Sequence, residues 1–258
     1  MEEGAGPTGS RPVGACAPAA PSGTMRPMAP PRAPLTRELV LGAAIDHVDK
    51  HGLNALTMRA LGQDLGVEAM SIYHHVNGRE DLLEGIVEQL VQGIRVPPRT
   101  QLGPADGWQT FLQHVAHAVR SLALAHPNLF PLVATRPPAA PWLRPPLRSL
   151  RLVEDFLDGL LVRGMSEQRA VDTYQAFTSF LLGHLLLEVS ALGAETGPPE
   201  EPLDEGGADV PNAEGRLDTG DYPTVVRLEA RLRHHNPDVE FESSLEALLD
   251  RLDGDVSQ

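Results

Sequence analysis

"LTMRALGQDLGVEAMSIYHHVNGREDLL", residues 56–83, reads as two short helices, a tight turn and the start of a third helix. Thr57 stands where an N-cap belongs, and Leu61 and Leu65 follow at helical spacing. Gly66 supplies the positive φ that ends this helix and turns the chain into the next. The next helix is expected over about Glu68 to Val76, where Asn77-Gly78 breaks it. Leu61, Leu65, Val67 and Ile72 can form the small core that fixes the angle between the two. Ala69, Met70, Ser71, Tyr73, His74 and His75 are left facing outward, an odd display for a surface helix.

The flanks supply the missing walls. Upstream, Thr36 caps a helix in which Leu39, Val40, Ala43, Ala44 and Val48 recur, ending at Gly52. Downstream, Leu82, Leu83, Ile86, Val87, Leu90 and Ile94 mark an amphipathic helix from about Arg79, closed by Pro97-Pro98. The rest is helical in pattern too. "GWQTFLQHVAHAVRSLALAHP" aligns Trp108, Phe111, Leu112, Val115, Val119 and Leu122 on one face. "PPLRSLRLVEDFLDGLLVRG" follows, with Pro145-Pro146 suited to a first turn and Gly164 to a stop. Ser166 caps a long helix, and two closing helices are expected over about 222–235 and 239–253. No strand-like alternation occurs, so the fold class is all-α.

Three regions result. Residues 1–34, rich in Pro, Gly and Ala, are an expected disordered tail. Residues 35–95 form a helix-turn-helix domain, and 96–258 a larger helical domain interrupted by a mobile acidic loop at 194–223. The formal net charge of −14 is distributed unevenly. Residues 32–95 hold six Lys and Arg against nine Asp and Glu, whereas residues 96–258 hold thirteen against twenty-four. Acidity weakens a nucleic-acid role without removing it. Cys16, the single cysteine, excludes an intramolecular disulfide and Cys-rich zinc sites. The longest apolar run, "FLLGHLLLEV", is interrupted by His184 and falls short of the roughly eighteen residues of a membrane helix. No membrane association and a cytoplasmic location are expected.

The outward face of the second short helix suits a DNA groove. Small side chains at Ala69 and Ser71 let its N-terminus approach base edges, and Ala69 or Met70 can touch thymine methyls. Thr57, Arg59, Tyr73, His75 and Arg79 can donate to phosphates. Such helices act in dimers whose half-sites lie about 34–36 Å apart. The rival reading, ordinary core, is accepted for Ile72.

The run "GLNALTMRALGQDLGVEAMSIYHHVNGREDLLEGI" resembles the DNA-binding domain of the TetR family of transcriptional repressors. "LTMRALGQDLGV", the Tyr-x-His-Val ending and the basic residue before "DLL" carry the likeness. It implies DNA contacts at Thr57, Arg59, Ala69, Met70, Ser71, Tyr73, His74, His75 and Arg79. More weakly, "GWQTFL", "ATRP" at 134–137 and "GHLLLE" resemble the tetracycline-repressor branch, implying an effector-binding, dimerising second domain. The branch's magnesium-ligating histidine corresponds to Leu132, its drug contacts on the preceding helix to Val115 and Val119, and another histidine to Arg95. Chelated magnesium needs hard ligands, so an apolar or weakly polar effector is expected instead of tetracycline. Candidate lining residues are Trp108, Phe111, Val115, Val119, Leu132, Phe177 and His184.

Other signals are read blandly. His114 and His117 lie three apart on one helix, yet no Cys or acidic pair accompanies them, so no metal site is expected. His184 either lines the pocket or hydrogen-bonds in the core. Leu181, Leu182, Leu185 and Leu186 serve core and dimer interface. No phosphate loop, nucleophile elbow or structured cysteine supports catalysis, and no cofactor is expected. The sequence thus points to a homodimeric repressor binding a double-stranded DNA operator and a small-molecule effector. A carrier protein with a vestigial helix-turn-helix is the rival from another class.

Overall fold

The computed structural model describes residues 34–94, 107–135, 149–194 and 222–254. The expected tail up to residue 33, the domain boundary at 95/96 and residues 195–221 of the acidic loop lie outside them. The described residues contain ten α-helices, one 3-10 turn and no strand. Helices α1 (Arg37–His51), α2 (Met58–Leu65), α3 (Ala69–Ile72) and α4 (Arg79–Gly93) make the N-terminal group. Helices α5 (Trp108–Ala125), α6 (Phe130–Thr135), α7 (Leu150–Leu161), α8 (Glu167–Ala191), α9 (Pro223–Leu232) and α10 (Pro237–Gly254) follow.

Four of these helices begin on a hydroxyl. Thr36, Thr57, Ser149 and Ser166 each accept a bond from the backbone N–H three residues on. Each such cap stabilises its helix by about 1 kcal/mol. Gly66 adopts φ 64° and ψ 36°, and its N–H reaches back to close α2. Gly62 matters for a different reason. A Cβ there would sit 2.9 Å from the Val67 carbonyl oxygen, so α2 and α3 approach this closely only across glycine.

Two expectations need correction. The second motif helix is regular only over Ala69–Ile72 and then tightens into turns, with His75 N–H bonding to the Ile72 carbonyl at 2.8 Å. Glu68 offers it no side-chain cap, so local chemistry does not sustain a longer helix. Helix α6 was not expected, being only six residues long with Pro131 in its first turn.

The core divides into two clusters of buried side chains. One gathers Val40, Ala44, Val48, Leu61, Ile72, Ile86 and Val87 of the first four helices and Val76 between α3 and α4, together with Leu129, Val133 and Leu152. The other gathers Phe111, Val115, Phe130, Phe156, Phe177, Leu181, Phe241 and Leu245. Helix α6 therefore serves both, Val133 facing one cluster and Phe130 and Ala134 the other. Polar bonds join the same halves: His126 Nδ1 lies 2.7 Å from Asp49 Oδ2, and Asn128 donates to the Val48 carbonyl at 3.3 Å. Elsewhere in the C-terminal helices, Arg120 Nη2 and Nε grip Glu188 at 2.6 and 3.1 Å, Glu188 being buried and Arg120 largely so. Among the described residues no helix is long and apolar enough to cross a membrane.

Candidate nucleic-acid interface and apolar cleft

The short α3 is held from behind while its outer face stays bare. Ile72 is fully buried, so α3 cannot rotate without exposing it. Met70 is 69% exposed and Tyr73 47%, His74 is exposed, and Ala69, Ser71 and His75 are partly exposed. Thr57 and Arg59 at the start of α2 are exposed on their own turn. The Thr57 hydroxyl accepts the Ala60 N–H at 3.1 Å, leaving its own proton to donate elsewhere.

Residues unnoticed in the sequence do the holding. Arg37 of α1 forks onto Asp81 at 2.6 and 3.1 Å and donates to the His75 carbonyl at 2.8 Å. Asp81 also accepts the Asn77 N–H at 2.7 Å, so one carboxylate ties the end of α3 to α1 and α4. On the other side, the His47 ring lies against Asp64 at 2.6 Å and the Ala55 carbonyl at 3.2 Å, fixing α2 on α1. Arg79, expected at phosphates, donates to the carbonyls of Leu56 and Leu53. A guanidinium has five donors, so these bonds do not exhaust it.

The Arg37 bond, then the Asn77 N–H, holds the Asp81 carboxyl below its ordinary value. A depressed carboxylate stabilises the fold above its unfolded pKa and loses that contribution as pH falls through the folded one. The clamp's contribution should therefore be complete well above about pH 4, the unfolded carboxylate value, and be lost progressively below it. Urea titrations of the protein and of Asp81→Asn should differ at pH 6 and draw together as the pH falls below the ordinary carboxylate range. Equal stabilities at pH 6 would contradict the clamp.

The second feature is a cleft of about 590 Å³, counting space open at its mouth. Its walls are Val91 and Ile94 at the end of the α4 segment, Val115 and Val119 of α5, Phe130 and Val133 of α6, Leu152 and Phe156 of α7, and Phe177, Thr178, Leu181 and Leu182 of α8. Among the described lining residues Thr178 alone has a polar side-chain atom, and its hydroxyl donates back to the Tyr174 carbonyl at 2.5 Å. Val115, Val119 and Phe177, expected among the lining, are part of it. Trp108, Phe111, Leu132 and His184 are not. Phe111 turns to Phe156 at 5.9 Å under the Arg163 guanidinium. Trp108 packs at the edge of the second cluster beneath Arg169, and Leu132 packs against the first cluster. His184 lies between Phe180, tilted against it at 5.6 Å, and Phe241, edge-on at 5.5 Å. The described residues contain no group of three His, Cys, Asp or Glu side chains able to hold a metal.

Comparison with known proteins gives this geometry a context. The family model "Bacterial regulatory proteins, tetR family" matches residues 40–86, and "Tetracyclin repressor-like, C-terminal domain" matches residues 101–254. The HTH-type transcriptional repressor DrrR1 of Streptomyces coeruleorubidus is 26% identical over 90% of this chain and 83% of its own. The tetracycline repressor protein class D of Escherichia coli is 28% identical over 86% and 95%. Among solved structures, a possible TetR family regulator from Streptomyces coelicolor A3(2) superposes with TM-score 0.63 at 26% identity, covering 84% of this chain and 98% of that one. ActR of the same species, in complex with actinorhodin, shares the fold at TM-score 0.62 and 22% identity, covering 88% and 100%.

Proposed function

The chain belongs to the tetR family of bacterial regulatory proteins, and on that premise we propose that it is a homodimeric repressor which leaves a palindromic operator when a small, mainly apolar molecule fills the cleft. As a family member it is a DNA-binding transcriptional regulator with a ligand-binding C-terminal part, and not an enzyme. Its place of action is the cytoplasm, where its operator would lie.

One observation supports the coupled reading above the others. The cleft is walled by Val91 and Ile94 as well as by α5 to α8, so a molecule inside it would press on the last helix of the DNA-reading group. Release requires that molecule to bind one arrangement of α4 more tightly than another. The lining also constrains the molecule. A magnesium-chelated drug needs oxygen or imidazole ligands, which the described walls do not offer. An uncharged, largely hydrocarbon compound suits the described walls better than tetracycline. For the second copy, the outward stripe of α8 supports close helix packing. Ala176, Ser179 and Gly183 are small, and Leu187 beside them is 75% exposed.

The bare face of α3, with Thr57, Arg59 and Arg79 around it, would carry the operator contacts. Selection of bound DNA from a random pool should return a palindrome with half-sites about one duplex turn apart. Candidate apolar compounds should then displace it in a mobility-shift assay. Tyr73→Ala should weaken the selected complex about tenfold with the fold intact, since a half-exposed tyrosine carries little packing. Unchanged binding by that variant would count against the groove assignment. Absence of salt-dependent DNA binding would favour the carrier reading instead.

A further inference from the structure

His47 of α1 is buried, its side chain 8% exposed, and both of its ring nitrogens face oxygen atoms. Nδ1 lies 2.6 Å from Asp64 Oδ2, and Nε2 lies 3.2 Å from the Ala55 carbonyl oxygen. A carbonyl oxygen accepts and never donates. Asp64, whose side chain is 47% exposed, meets the ring as a carboxylate, which also only accepts. A neutral imidazole has one N–H and one lone pair, whereas the imidazolium has two N–H groups. Only the imidazolium makes both bonds.

The two oxygens stand at opposite ends of α2. Ala55 closes the 3-10 turn two residues before the Thr57 cap, and Asp64 lies in the last turn of the helix. One ring thus holds α2 against α1 at both ends. At Gly62 the chain entering α3 comes so close that a Cβ would stand 2.9 Å from the Val67 carbonyl oxygen, so α3 follows where α2 goes. Around the ring stand Asp64 from α2, the Ala55 carbonyl from the 3-10 turn and, from α1 itself, Lys50 and His51, the latter at 4.9 Å between ring centroids. Asp64 touches the ring, whereas Lys50 and His51 are exposed and screened by water.

We infer that His47 is a positioning residue for operator binding, and that it holds α2 in the binding arrangement only while both ring nitrogens carry protons. The inference rests on the reading that α2 and α3 face the operator. As pH rises through the histidine range, the ring gives up one proton. The proton that remains stays on Nδ1 beside the carboxylate, and Nε2 then turns a lone pair on the Ala55 carbonyl. Arg79 still donates to the Leu56 carbonyl, so the start of α2 shifts instead of melting. Thr57 and Arg59, at that end of the helix, move with it. Operator is thus held less well at high pH, a dependence separate from that of His74 and His75 on the reading face.

Asp64→Asn distinguishes the two. Its amide donates to Nδ1 while the Nε2–H reaches Ala55, so a neutral ring makes both bonds. Fluorescence anisotropy of the full chain on the palindrome selected from a random pool is read at pH 6 and pH 8, on either side of the histidine range. The parent's Kd should rise about fivefold more across that interval than that of Asp64→Asn, the size of one hydrogen bond. Ratios are compared, so the charge removed by the substitution cancels. Nitrogen-15 spectra of the histidine-labelled free chain, assigned with His47→Gln, should show both His47 nitrogens protonated at pH 6 and one losing its proton as the pH rises to 8. A singly protonated ring at pH 6, or equal pH ratios for parent and Asp64→Asn, overturns the positioning role while leaving DNA binding in place. A chain that binds no DNA at either pH overturns the operator reading and the positioning role with it.

Discussion

Glu188→Ala is expected to lower the unfolding free energy by about 3 kcal/mol, the lower end for a buried pair, because it leaves the largely buried Arg120 guanidinium without its main counter-charge. The Glu188 and Arg120 side chains are 7% and 11% exposed, and three hydrogen bonds join them. Asp238, the remaining partner, is 83% exposed and compensates little. The bond to Glu188, then that to Asp238, raises the pKa of Arg120, so it cannot escape by losing its proton. Thermal unfolding should fall by something on the order of 10 °C. A control separates charge from volume: Arg120→Met combined with Glu188→Leu should cost much less than Glu188→Ala alone, since an apolar pair leaves no buried ion. If the double variant is the less stable of the two, the pair stabilises the fold by more than avoidance of an orphaned charge.

Met70→Glu should reduce operator affinity a hundredfold or more, about 2.7 kcal/mol, with stability nearly unchanged. Met70 is the most exposed large apolar residue of α3 and packs against nothing that would miss it. If α3 enters a groove, a carboxylate there faces phosphates from both sides, with Glu68 already acidic at the helix start. The loss should shrink if glutamine replaces glutamate, which keeps the length and removes the charge. Fluorescence anisotropy with the selected palindrome reads both. Equal affinity of Met70→Glu and the parent would place the DNA on another face.

How much of this was legible beforehand depends on the range of the interactions. Caps at Thr36, Thr57 and Ser166, the turn at Gly66 and the burial of Ile72 are local or periodic, and the structure has them where the residues imply. The length of α3 is only partly legible, because besides the missing cap at Glu68 the turns after it are held from afar. Arg37 and Asp81 stand 44 residues apart, and neither belongs to any periodicity. Val115 and Val119 reach the cleft, whereas Phe111, one turn earlier on the same row, is carried past it to Phe156. A helical wheel fixes a face but not which neighbour stands opposite each turn. Leu132 illustrates the same limit: its helix α6 was too short to show a period at all.

Helix α6 lends Val133 to one cluster of buried side chains and Phe130 to the other. Neither half can therefore melt while the other stays whole without stranding one side of that six-residue helix in water. The molecule has no slack joint at that point. Amide exchange should therefore show the two clusters opening together, with α6 among the residues they share.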